Sequence, residues 1–128
     1  MTRAWMSLVA VALSVGSAQA LAHEEQEHAG TPQEQTLTGE VVDVFCYLSH
    51  GEQGLGQGHA ECAKKCIKNG LPVAIKVGDQ LYLASMADHT AANQKLADLA
   101  AEQVTVTGKV MERDGQRLIS ISHIEPAE

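Results

Sequence analysis

All three cysteines of the chain, Cys46, Cys62 and Cys66, lie in one short stretch that also contains His50 and His59. Thiolate sulfur and imidazole nitrogen are donors for Zn(II), Cu(I) and iron. His59, Cys62 and Cys66 follow one another at helical spacing, so we expect them to share one stripe of a helix. Cys46 ends a strand-like run, and a glycine-rich loop is able to fold it back toward that stripe. The pattern therefore predicts a four-ligand metal site formed by Cys46, His59, Cys62 and Cys66.

Two further histidines are candidate ligands. His50 is an alternative to His59, a hydrogen-bond partner of a ligand, or a solvated loop residue. The way in which His23 could bind a metal depends on where the signal peptide is cut. Cleavage after Ala20 places it third from the new amine, an arrangement that chelates square-planar Cu(II) or Ni(II). Cleavage after Ala22 makes His23 the N-terminal residue, which chelates by its amine and ring, although short polar tails also contain histidines by chance.

The same thiols allow two other interpretations. A disulfide from Cys46 to Cys62 or Cys66 would stabilise the fold by about 3 kcal/mol and leave one thiol over. The protein would then be a disulfide-stapled module that binds a ligand or partner. A thiol redox role requires a cysteine of low pKa. Nearby cations would lower the pKa and favour the thiolate, which is also the form that binds metal. The same helix carries such cations, namely Lys64, Lys65 and Lys68.

The beginning of the chain is typical of an export signal. A positive start with Arg3 precedes an apolar run at 4–15 and two small-residue cleavage patterns. These features predict a signal peptide over residues 1–22, cut after Ala20 or Ala22. The apolar run is too short to span a bilayer comfortably. We therefore expect a periplasmic or secreted protein with no membrane insertion after cleavage, and an oxidising compartment makes an odd number of cysteines notable.

Composition excludes several classes of function. The 128 residues suit one small domain, and the net charge is −7. One Phe, two Tyr and one Trp supply few stacking surfaces. Nucleic-acid binding needs a basic footprint and such surfaces, so it is not expected. The sequence has no Gly-x-Ser-x-Gly elbow and no convincing paired carboxylates, which favours a binding role over an enzymatic one. The expected partners are a metal ion and an exported protein.

The elements that position the cysteines follow from hydrophobic periodicity. Residues 23–35 are polar and aperiodic, which predicts a disordered tether. A strand over 36–45, with a bulge at Gly39, precedes a helix that starts near Gly58 and stops at Asn69-Gly70. The remaining pattern predicts a hairpin, a helix and a second hairpin. Their markers are the turn Gly78-Asp79, the helical stripe of 88–101 capped by Asp88 or Thr90, and the turn Asp114-Gly115.

This order of elements resembles the OB-fold, a five-stranded barrel with a helix between the third and fourth strands. The run T-V-T-G-K-V at 105–110 is similar to the fourth strand of small exported bacterial members of that class. The resemblance covers residues 36–125 and implies a mainly β fold with helices. The predicted Cys-bearing helix, inserted between strands 1 and 2 within residues 46–70, is an addition that an ordinary OB-fold does not need. A fold assigns no function by itself, so the function depends on the cysteine site.

Overall fold

The computed structural model describes residues 31–128. Five strands close into a barrel in the order β1-β2-β3-β5-β4. Neighbouring strands are antiparallel except β3 and β5, which run parallel. The strands are β1 Gln33–Asp43, β2 Val73–Val77, β3 Gln80–Met86, β4 Gln103–Arg113 and β5 Gln116–Pro126. The predicted five-stranded barrel is confirmed, and its topology is consistent with an OB-like architecture.

Side chains that alternate along the strands fill the barrel. In β4 the buried positions are Val104, Val106 and Gly108, and the half-buried Thr105 and Thr107 alternate with them. This is the period-two pattern of a strand with one face on the core. Removing such an aliphatic side chain from water is worth about 1.5–3 kcal/mol. The fully buried barrel residues include Val41, Ile75, Val104, Val106, Ile119 and Ile121.

Two predictions about β1 need correction. β1 begins at Gln33, so residues 33–35 are not part of a disordered tether; they pair with the long β4. Gly39 is not a bulge, because the register is unbroken there. A Cβ at Gly39 would collide with the Lys76 carbonyl of β2, so glycine permits this close approach. The predicted signal peptide over 1–22, His23 and the tether up to residue 30 lie outside the described residues.

Both predicted hairpin turns are confirmed. Val77 pairs with Gln80, which leaves Gly78-Asp79 as a two-residue turn. Asp114 and Gly115 both have positive φ, at 51° and 75°, which matches a type I′ turn between β4 and β5.

Residues 44–72, called here the insertion, connect β1 to β2. They contain helix α1 at Val44–His50, two 3-10 turns at Gly51–Gly54 and Gln57–His59, and helix α2 at Ala60–Lys68. The predicted Cys-bearing helix between the first two strands is therefore confirmed as α2, and α1 is an additional helix. The prediction of strand through residue 45 is wrong, because the Asp43 side chain accepts hydrogen bonds from the Phe45 and Cys46 amides and starts α1.

The predicted helix over 88–101 is much shorter. Helix α3 spans Asn93–Leu96 and continues as a 3-10 turn at Ala97–Leu99. Upstream, the Asp88 side chain accepts hydrogen bonds from the Thr90 amide and hydroxyl. Such local bonds compete with helix formation, so the chain turns here before the helix starts.

Helix α2 is held against the barrel and against α3. Ala63 and Ile67 are buried in the core. Asn93 donates from Nδ2 to the carbonyls of Ile67 and Leu71, each at 2.8 Å, which satisfies carbonyls near the end of α2. These contacts fix the rotation of α2, and with it the direction of its cysteines.

Candidate metal centre

Two overlapping groups of donor atoms meet at Cys46. Cys46, His59 and Cys62 each offer a ligand atom that lies within 4.8 Å of the other two. Asp43, Cys46 and Cys66 meet the same criterion. Because Cys46 belongs to both groups, the other three predicted ligands and one aspartate each lie within 4.8 Å of its sulfur.

Cys46 is placed by the first turn of α1. The Asp43 carboxylate accepts from the Phe45 amide at 3.1 Å and from the Cys46 amide at 3.3 Å. The Val44 amide donates to the Pro72 carbonyl at 3.0 Å, so the two ends of the insertion are joined. Cys46 was predicted at a strand end. It lies instead on a helix, with its side chain buried.

The loop after α1 packs closely on Cys46. A Cβ at Gly54 would lie 2.8 Å from the Cys46 carbonyl oxygen, so this position requires glycine. The Gly56 amide donates to Glu40 Oε1 at 2.6 Å, and Gln57 Nε2 donates to the Ala101 carbonyl at 3.1 Å. The loop is thereby fixed to the barrel immediately before His59.

His59 closes the second 3-10 turn and precedes α2. It therefore lies at the helix N-cap position, not within the helix as the spacing predicted. Its Nε2 is buried and has no hydrogen-bond partner in the described part of the chain. A buried polar atom without a partner costs about 1–3 kcal/mol. A metal ion would satisfy this nitrogen.

Cys62 and Cys66 lie one turn apart on α2. Cys62 is exposed and Cys66 is partly buried. Burial raises the pKa of Cys66, and the charge of Asp43 and the neighbouring Cys62 raise it further. Cys66 therefore lies beside Asp43 and Cys46, with Cys62 as a further neighbour, and Cys62 is exposed to solvent.

The thiol of Cys46 is strongly favoured over its thiolate. A hydrogen bond with Asp43, then burial, then the Asp43 charge raise the pKa of Cys46 to about 12. A metal ion must therefore displace a proton from this sulfur. The expectation that lysines promote the thiolates of Cys46 and Cys66 is wrong. Lys64 and Lys68 each lie 3.0 Å from Asp98 Oδ1, and both thiol pKa values are raised.

Asp43 is the site residue that sequence reasoning missed. It is 0% exposed, and no Lys, Arg or His of the described chain forms an ion pair with it. A signal was present in the sequence: a single aspartate interrupts the apolar run Val41 to Phe45, three residues before a cysteine. Aspartate is depleted in strands and common at helix starts, so the interruption indicated a cap.

Of the two further candidate ligands, His50 does not join the cluster, and His23 lies outside the described residues. His50 is exposed at the end of α1 and belongs to neither group of donors. All three cysteines are free thiols.

Comparison with models of protein families, with curated proteins and with solved structures found no match to this chain. Among the described residues, no helix is long and apolar enough to cross a bilayer. The functional argument therefore depends on the chemistry of the cluster, since the barrel alone assigns no function.

Proposed function

We propose that this protein is a small exported metal-binding protein that holds one Zn(II) or Cu(I) ion through Cys46, His59, Cys62 and Cys66. The observation that carries the proposal is the approach of ligand atoms from Cys46, His59 and Cys62 within 4.8 Å of one another. Around a tetrahedral zinc with Zn–S bonds of about 2.3 Å, neighbouring sulfurs are about 3.8 Å apart. The three donors of this group therefore need to change their separations by about 1 Å or less to bind an ion, and Cys66, which belongs to the group with Asp43, would have to approach them as the fourth ligand.

The chemistry of the donors supports a soft or borderline ion. Three thiols and one imidazole suit Zn(II) and Cu(I), whereas Mg(II) and Ca(II) prefer oxygen ligands. The buried and unpartnered Nε2 of His59 would gain a partner on metal binding.

Export is the second part of the proposal, and it depends on the signal-like sequence at 1–22. An oxidising compartment pairs free thiols. An ion shared by all three cysteines would explain why an exported chain carries an odd number of them, because metal-bound thiolates are protected from disulfide formation.

The ion would have both structural and exchange roles. Cys46 lies on α1 and the other two cysteines on α2, so an ion would cross-link the two helices of the insertion. Cys62 is exposed, so this ligand is within reach of an incoming or outgoing carrier. An ordered insertion with one accessible ligand suits a protein that stores or passes on a metal.

The test is metal and thiol content in protein exported from the full-length gene and purified without oxygen. We expect about one Zn or Cu ion per chain by elemental mass spectrometry, and three free thiols after metal removal and unfolding. Replacing His59 by Ala should lower the metal content, whereas the control His89→Ala, an exposed residue outside the cluster, should not. Protein without metal and with a single free thiol would refute the proposal in favour of the disulfide-stapled module.

A further inference from the structure

Asp43 has a second relation to the cluster besides capping α1. Its carboxylate lies within 4.8 Å of the sulfurs of Cys46 and Cys66. The side chain is 0% exposed, so water does not screen its charge. No described cation forms an ion pair with it, and two of the lysines of α2, Lys64 and Lys68, pair with Asp98. A bound metal ion would be the first positive charge to face this carboxylate.

The charge of the ion then decides how well the site is neutralised. Metal binding converts the thiols to thiolates, which adds negative charge beside a carboxylate that is already buried. A divalent ion leaves one negative charge fewer in the cluster than a monovalent ion. Uncompensated charge beside the buried Asp43 is unfavourable, so the site should favour the ion that neutralises more of it.

We propose that Asp43 shifts the preference of the cysteine–histidine site toward a divalent ion, Zn(II), relative to the monovalent Cu(I). The inference depends on the proposed function, because it assigns a preference to that same site. Asp43 acts here through its charge and not as a required ligand. Its carboxylate attracts Zn(II) with twice the energy with which it attracts Cu(I) at the same position.

The expected effect follows from that factor of two. Replacing a residue that supports metal ligands typically lowers affinity about 10- to 100-fold. We expect Asp43→Asn to lower Zn(II) affinity within that range. Because the energy of attraction is halved for a monovalent ion, Cu(I) affinity should fall only about 3- to 10-fold. The preference for Zn(II) over Cu(I) should therefore decrease by about 3- to 10-fold.

The experiment is a competition titration of the full exported chain against chelators for Zn(II) and, without oxygen, for Cu(I). Asn is chosen because it is a good N-cap, and Asp43→Ser supplies a second neutral cap. The matched control is Glu52→Gln, which removes an exposed carboxylate from the same insertion. We expect Glu52→Gln to change neither affinity by more than about twofold, since exposed charges are screened. Circular dichroism verifies that α1 is retained.

The outcomes separate this inference from the proposed function. Wild-type protein that binds neither ion refutes both. Wild-type protein that binds metal, with variants that lose Zn(II) and Cu(I) by the same factor or by none, leaves the metal site intact and overturns the role of Asp43. Loss of α1 in both the Asn and Ser variants would assign Asp43 to helix capping alone, which also overturns the selectivity.

Discussion

The barrel and the insertion are stabilised by different interactions. The barrel buries aliphatic side chains from all around its wall, such as Val41, Ile75 and Ile119. The insertion adds only Ala63 and Ile67 to that core cluster and leaves Phe45 59% exposed and Leu48 72% exposed. Its order also depends on specific polar contacts at its edges, such as the bonds from Gly56 to Glu40 and from Asn93 to Ile67. The barrel wall thus supplies most of its own core, whereas the insertion, under the proposed function, would gain stability from a bound metal.

This difference explains where function is located. A short segment with little apolar surface to bury is marginal without an additional cross-link. Metal binding to the folded form alone would stabilise the protein by about 4 kcal/mol at a thousandfold excess over Kd. If the insertion unfolds separately from the barrel, that stabilisation should be confined to the insertion.

The largest effect is expected for Cys46→Ser. Cys46 belongs to both groups of donors, so its loss should lower metal affinity more than 100-fold, beyond the range for residues that only support a ligand. The metal-free barrel should still fold. Chelator competition gives the affinity, and far-ultraviolet circular dichroism follows the barrel. His50→Ala is the control, because His50 is exposed and in neither group. Equal metal affinities for Cys46→Ser and wild type would show that Cys46 is not a metal ligand.

Ile67→Ala tests the main apolar anchor of the insertion. Ile67 is 0% exposed, and its truncation should cost about 2–5 kcal/mol in urea unfolding. Hydrogen exchange should show lost protection in α2 before β4 and β5 are affected. Leu48→Ala, at an exposed position, should change stability by less than about 0.5 kcal/mol. Uniform loss of protection across the barrel would show that the two regions unfold together.

Asn93→Ala should have a smaller effect on stability. It removes two hydrogen bonds that join the end of α2 to α3, each worth about 0.5–1.5 kcal/mol. We expect a loss of about 1–3 kcal/mol in the free energy of unfolding, together with a modest decrease in metal affinity as α2 loosens. The neighbouring exposed Gln94→Ala is the matched control. An effect of Gln94→Ala equal to that of Asn93→Ala would contradict this role.

The smallest effect concerns the ion pairs of Asp98. Lys64, followed by Lys68, holds the pKa of Asp98 below its ordinary value of 3.8. The resulting stabilisation is present above that value and is lost as the pH falls through the lower folded-state pKa. Asp98→Asn should therefore lower stability slightly at neutral pH and flatten its decrease in acid. The test is the free energy of unfolding from pH 6 to 2 in low salt, measured for wild type, Asp98→Asn, Lys68→Met and the double variant. A steeper acid decrease in Asp98→Asn would contradict the pairing.

Periodicity was sufficient to predict the strands, whose order implied a barrel through its resemblance to the OB-fold, and was insufficient for the insertion. Alternation in β4 and the Asp114-Gly115 turn are local signals, so the strands, hairpins and their order could be derived from sequence. The start of α1 depends on the side chain of Asp43, which overrides the strand preference of the valines around it. The shortened α3 likewise depends on a local bond between Asp88 and Thr90. Single side chains redirected the backbone where apolar periodicity was weak.

The sequence likewise predicted only part of the candidate site. Residue types and spacing identified Cys46, His59, Cys62 and Cys66 as donors, because soft donors are rare and were clustered. The approach of Asp43 to two of these sulfurs depends on how β1 turns into α1. Spacing along the chain gives no measure of that distance, so the residue proposed to set the charge of the site was missed.

X-ray absorption of the Zn-loaded, full-length exported protein tests the central claim most directly. The account predicts three sulfurs at about 2.3 Å and one imidazole nitrogen at about 2.0–2.1 Å from the metal. The Cys46→Ser variant should lose one sulfur from that shell. A shell of oxygen and nitrogen atoms with one sulfur or none would contradict the proposed metal centre.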